Sequence, residues 1–286
     1  MRVVSEQHQS NRNVKWMWAL LALLAFTGAV FFACLIMDHV FDYYKSGTKY
    51  AELRQNIYIE SSSWHSEDHM SATVFNDDST QPTAALLQYT PPVDIVKLRA
   101  INQDLVGWIR IADSAIDYPV VQGSDNAYYL ANNFFREKSK SGCLFLDTRA
   151  VSDFSSKNNL IYGHNMKDGS MLGSLLSYLD KPYLDKHSEI VLYGLLEGYN
   201  LVPFAVYTDT NRGEYLECEF VNEAAYKNWL NLIIEKSIIQ LGVFPDGTDH
   251  VITLVSCQAG FRDRRVVLHL VMRPDNDSLR SESGVT

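Results

Sequence analysis

The sequence predicts a mainly β protein, a closed or nearly closed β-barrel carried behind one apolar N-terminal helix. Three observations support this. The runs GCLFLD, NNLIYGH, EIVLYGL, LVPFAVYT, HVITLVSC and RRVVLHLVM are short, rich in β-branched and aromatic residues, and separated by turn residues at irregular spacing. The stretch WMWALLALLAFTGAVFFACLIM, residues 16–37, carries no charge. Between that stretch and the strands lies a polar region too rich in Ser, Asp and Thr to build a core.

Composition narrows the function classes. The chain has 286 residues, 47% hydrophobic and 21% charged, with a formal charge of −9. That excludes disordered, collagenous and disulfide-packed classes and leaves enough chain to bury a core without a metal or cofactor. A nucleic-acid surface needs clustered Lys and Arg, which this acidic chain lacks. The cysteines at 34, 143, 218 and 257 form no CxxC pair, so neither a zinc site nor a disulfide framework is indicated.

Taken in order, residues 1–15 read as a cytoplasmic N-terminus containing Arg2, Arg12 and Lys15. Residues 16–37 span roughly 33 Å as a helix, close to the hydrocarbon thickness of a bilayer. The basic residues before them and Asp38 and Asp42 after them keep the N-terminus inside and export the rest. Trp16 and Trp18 mark the inner interface, and Cys34 reads as an apolar cysteine in lipid. The run exceeds a signal-peptide core and no A-x-A site follows, which favours an uncleaved signal anchor. Residues 38–92 read as an extracellular stalk, helical at first and then flexible. His65 and His69 stand at i and i+4 within it, but their Ser, Asp and Glu neighbours indicate a solvated loop rather than a metal site.

A compact domain is expected over 93–273. DIVKLRAINQDLVGWIRI gives a helix and then a strand, and IDYPVVQG follows. Helices are expected at 170–180 and 222–238, the second N-capped by Asn222 with an apolar stripe through Ala225, Trp229, Leu230, Ile233 and Ile234. Residues 274–286 read as a disordered tail.

The chemistry centres on the strand ending at Cys257. The following hairpin returns Arg264 or Arg265 beside that end, where a guanidinium lowers a thiol pKa or holds an oxyanion. The competing reading makes Cys257 a small core residue at a sheet edge capped by arginine. For acid/base work, His164 is delivered by the strand NNLIYGH into a small, polar turn. His269, mid-strand, is the second choice and reads better as a satisfied barrel residue; His187 and His250 flank strands in polar company. Asp168, in Lys-Asp-Gly, is chiefly a turn residue.

These segments resemble a known family. TLVSC at 253–257, followed by an Arg leading RVVLH, resembles the sortase signature. IYGHNMKDGSMLG around His164 is similar to the histidine segment of class B sortases, and DLVGWIRIADSAIDYPVVQGSDNAYYL extends the likeness. The resemblance covers roughly residues 92–273. It implies an eight-stranded sortase barrel with N-terminal helices and an extra helix between the sixth and seventh strands.

The resemblance further implies Cys257 as nucleophile, His164 as general acid/base and Arg265, which directly precedes Val266 and Val267, as the arginine that steadies substrate and oxyanion. It places Asn126, Leu130, Tyr162 and Ser256 among the peptide-binding residues, with Ser256 standing where Thr is usual and Val255 where many members have Ser. The implied activity is transpeptidation at the outer face of a Gram-positive-type cell membrane. A C-terminal sorting signal of a surface protein is cleaved through a thioacyl intermediate and passed to a peptidoglycan cross-bridge amine, or to a pilin lysine in the alternative reading. No DPF- or DPW-like lid precedes the barrel, which disfavours the class C pilus enzymes. An inactive barrel serving as a surface binding module is the rival from another class. No metal or cofactor is implied.

Overall fold

The computed structural model describes residues 2–58, 89, 91–210, 212–257 and 263–275. The second half of the expected stalk, with His65 and His69, and the tail beyond Asp275 lie outside the described residues. The chain divides into two units, Met1–Lys49 and Tyr50–Thr286.

The first unit belongs to one helix, α1 (Arg2–Ile57), whose segment Trp16–Met37 has a mean hydropathy of 2.6 and is not buried against protein. By length and composition it is a candidate membrane span.

In the second unit, eight strands close into a barrel: β1 (Leu105–Ile111), β2 (Asp117–Val121), β3 (Leu144–Leu146), β4 (Asn158–Gly163), β5 (Ile190–Gly194), β6 (Gly198–Thr210), β7 (Val251–Cys257) and β8 (Arg264–Pro274). Around the barrel they run β1-β2-β3-β4-β7-β8-β6-β5, and β5 pairs back onto β1. Most neighbours are antiparallel; β2 with β3 and β4 with β7 are parallel. Closure leaves no free sheet edge.

Period-two alternation sorts β7 and β8 into two cores. Ile252, Leu254, Val266, Leu268 and Leu270 join the barrel interior. Val251, Val255, Val267 and Val271 face an outer layer built by α4 (Glu223–Lys236), which lies between β6 and β7 and buries Tyr226, Trp229, Leu230 and Ile233. Asn222 caps α4, its Oδ1 accepting from the Ala225 amide at 2.8 Å. The buried stripe runs through Tyr226 rather than Ala225.

The helical elements before the barrel pack onto it. The last turns of α1 bury Tyr50, Leu53 and Ile57, and α2 (Ile95–Ile101), capped by Asp94, buries Leu98. The barrel core therefore reaches back to Tyr50, well before residue 93. The segment expected to be helical near 170–180 forms a 3₁₀ run, Gly173–Leu179, and then a short helix, α3 (Lys181–Lys186), with Asp180 extended between them. Pro182 in the first turn of α3 suits a helix start and not a helix interior.

Candidate active site

Strand register assembles the site. Along the parallel β4–β7 ladder Tyr162 pairs with Val255 and Gly163 with Ser256, so one further step brings position 164 level with 257. On the other side of β7, Cys257 is paired with Arg265 at the start of β8. The cysteine position thus stands between the histidine and the arginine at one rim of the barrel. A groove of about 390 Å³ opens there, lined by His164, Arg265, Asn126, Leu130, Tyr162 and Val255. Arg264, the alternative cation, is exposed and does not line it.

Each wall is held from behind. Asn126 accepts a hydrogen bond from the Thr148 amide at 3.0 Å through Oδ1. The Tyr162 hydroxyl donates to Asp147 Oδ2 at 2.9 Å. Arg149 donates to both oxygens of Asp147, each at 2.9 Å. Burial alone would raise the Asp147 pKa, but these donors and the Arg149 amide overcome it and hold the carboxyl at about 2. His164 Nε2 lies 2.7 Å from the carbonyl oxygen of Leu130. Leu130 ends a 3₁₀ turn, Tyr128–Leu130, whose start is tied by Asp125 Oδ1 accepting from the amides of Ala127 and Tyr128.

Sequence reasoning did not single out Phe145, Tyr215 and Leu216, which also line the groove. Phe145 packs on Tyr162 with ring centroids 5.3 Å apart, and the uniformly apolar, buried run LFL did not mark which face it takes. Tyr215 and Leu216 sit in a 3₁₀ turn, Glu214–Leu216, within the β6–β7 crossover, where no local pattern marks them.

Ser256 stands apart from the other residues expected along the peptide. It is buried at 1% exposure, pairs with Gly163 and Val266, and is absent from the groove lining. Alternation puts it on the interior side, with Ile252 and Leu254, while Val255 takes the groove side.

The other titratable candidates have structural roles. His269 is fully buried; Thr253 Oγ1 donates to Asn158 Oδ1, so it accepts from His269 Nδ1 at 2.8 Å, and Tyr207 OH lies 3.0 Å from Nε2. Burial pushes its pKa down to about 3, so it remains neutral. His187 and His250 bond backbone carbonyls away from the groove, and the Asp168 carboxylate closes its own turn through Ser170. Burial pushes the thiols of Cys143 and Cys218 up to about 12, which keeps both protonated and inert.

A closed eight-stranded barrel with a groove where the strand ends bearing a cysteine, a histidine and an arginine converge is the arrangement of a β-barrel cysteine transpeptidase. No family model matches the chain. It is 41% identical over 160 residues to the sortase B of Listeria monocytogenes, covering 56% of this chain and 65% of that protein, just under two thirds of its length. It is 32% identical over 173 residues to the sortase B of Staphylococcus aureus, covering 60% of this chain and 71% of that protein. Among solved structures, a sortase B from Bacillus anthracis superposes with a TM-score of 0.67 at 32% identity, over 82% of this chain and 100% of that one. A Staphylococcus aureus sortase B–substrate complex does so with a TM-score of 0.61 at 30% identity, over 63% and 85%. The chain belongs to the sortase B family, a family of cysteine transpeptidases.

Proposed function

We propose that this protein is a membrane-anchored, outward-facing transpeptidase that cleaves a C-terminal sorting signal of surface proteins and joins them to a cell-wall amine. The observation that supports the reading is the register: Cys257 pairs with Arg265, the β4–β7 ladder runs through Gly163 and Ser256 toward the same rim, and His164 and Arg265 both line the groove. The sorting peptide lies along Asn126, Leu130 and Tyr162 and presents its scissile carbonyl to Cys257. The thiolate attacks that carbon, and the negative charge moves to oxygen, where the Arg265 guanidinium and backbone amides stabilise it. Collapse breaks the C–N bond, His164 delivers its proton to the departing amine, and a thioacyl-enzyme remains. The acceptor amine, on a peptidoglycan cross-bridge, then attacks the thioester carbon. His164 takes the amine's proton, the new amide forms and the thiolate is released.

The helix Trp16–Met37 supports anchoring, and the basic residues before it support an inward N-terminus. Anchoring holds the enzyme where exported substrates and wall acceptors meet, which raises their effective concentration.

The test is incubation of the full chain with a panel of sorting-motif peptides and an amine acceptor, with Cys257→Ala as control. The expected result is a thioacyl-enzyme detected by mass and an amide product from the wild type alone. Equal product from the variant removes Cys257 from its role, and no acyl-enzyme with any peptide overturns the enzymatic reading in favour of a binding module.

A further inference from the structure

The bond between His164 and the Leu130 carbonyl constrains the imidazole more than its place in the groove requires. A carbonyl oxygen only accepts, so at 2.7 Å the nitrogen facing it, Nε2, carries hydrogen. The same residue lines the groove, so Leu130 touches both the space a peptide would occupy and the group that moves its proton. What lets the Leu130 carbonyl sit there is the chain that passes beneath it. Gly142 adopts φ +61°, in the left-handed region, and a Cβ at that position would meet Tyr129 O at 2.5 Å, Leu130 O at 3.1 Å and His164 Cδ2 at 3.1 Å. The strap is fixed on both sides: Cys143 N donates to Tyr129 O at 3.0 Å, and the buried Tyr50 hydroxyl donates to Gly142 O at 3.2 Å.

We propose that Gly142 and the Leu130 carbonyl form a positioning device for His164, fixing it as the Nε2–H tautomer so that Nδ1 is the nitrogen that exchanges protons during the reaction. The inference rests on the functional reading above, because it assigns atoms within that reaction. In the acylation step the Nδ1 proton passes to the departing amine and the ring is left neutral, with Nε2–H still donating to Leu130 O. In the second step the lone pair of Nδ1 takes the proton of the incoming amine. One ring nitrogen is committed to the scaffold throughout, and no ring flip is needed between the half-reactions. Gly142 acts through its neighbours: a Cβ there forces the Tyr129 carbonyl aside and presses on the adjoining Leu130 carbonyl and the His164 ring.

The experiment is nitrogen-15 spectroscopy of the full-length, histidine-labelled protein at a pH where the His164 ring is neutral, with His164→Gln used to assign its signals. Wild type is expected to show a protonated Nε2 and an unprotonated Nδ1. Gly142→Ala is expected to mix the tautomers and lower kcat by about tenfold to a hundredfold with KM within about twofold, the signature of a misplaced catalytic group. Gly242→Ala controls for backbone strain, since Gly242 has φ +69° with nothing within 4 Å of a Cβ; it should leave tautomer and kcat unchanged. A protonated Nδ1 in the wild type overturns the proposal, as does a Gly142→Ala protein that keeps both the wild-type spectrum and its kcat. The wild-type spectrum decides even if Gly142→Ala fails to fold. An inactive protein with a protonated Nε2 overturns the functional reading and supports the positioning, whereas an active protein with a protonated Nδ1 does the reverse.

Discussion

Asp147 shows how a residue with no place in the chemistry controls the wall of the groove. Its carboxylate, 1% exposed, is held by Arg149 and by the Tyr162 hydroxyl. Its folded pKa of about 2 lies below the usual unfolded value of about 3.9. The carboxylate therefore contributes stability that is fully present above about pH 4 and is lost as pH falls toward 2, with a magnitude of about 2 kcal/mol. Asp147→Asn is expected to lower the urea midpoint at pH 7 by the equivalent of about 2 kcal/mol. Its difference from wild type should narrow below about pH 3, where the native carboxylate also begins to protonate. Denaturant titrations at both pH values check this, and an equal loss at the two values would show that the charge is not the source. Nothing local in LFLDTR predicts this role: Tyr162 reaches Asp147 only because Phe145 pairs with Tyr162 across β3 and β4. The places of Cys257, His164 and Arg265 at strand ends were legible for the opposite reason. Each stands at the end of an apolar run, so the sequence itself marks where the strand stops and the rim begins.

At the scale of elements, α4 serves the groove without lining it. The Trp229 indole Nε1 donates to Glu214 O at 2.9 Å, and Lys236 bridges the carboxylates of Glu214 and Asp209. These bonds fix the turn that presents Tyr215 and Leu216 to the groove. Trp229→Phe keeps an aromatic ring in the layer but removes the donor, and leaving a carbonyl unpaired there costs about 1 kcal/mol. The expected result is a KM for the sorting peptide raised a few-fold, with kcat nearly unchanged. Val221→Ala, at a position 91% exposed, should change neither. Peptide kinetics on the two variants decide it, and a loss of kcat with KM intact would detach α4 from substrate binding. The α4 helix was legible because its cap and apolar stripe lie within one stretch of chain. The anchoring of α1 on the barrel was not. Tyr50, Leu53 and Ile57 recur at helical spacing, but Lys49, Glu52 and Arg54 surround them, and the sheet that buries them is formed by residues far along the chain.

For the whole molecule, a mean hydropathy of −0.13 averages two parts of different composition. The segment Trp16–Met37 reaches 2.6, whereas the barrel hides its apolar side chains in an interior and an outer layer. On the proposed anchoring, burial of these 22 residues in lipid would make release from the bilayer prohibitive, and Arg2, Arg12 and Lys15 on one side would make inversion costly. With tags at each end, the full chain in intact cells is expected to stay with membranes through an alkaline carbonate wash. Protease added outside is expected to destroy the barrel-side tag and spare the N-terminal one. Release by carbonate would reduce the segment to a surface contact, and a missing N-terminal tag would convert it into a cleaved signal. Protection of the barrel until the cells are permeabilised would invert the orientation. The outcome bears on catalysis as much as on location. On the proposed mechanism, water would compete with the acceptor amine for the thioacyl-enzyme, and a barrel held on the side where wall amines are concentrated would give the amine the advantage.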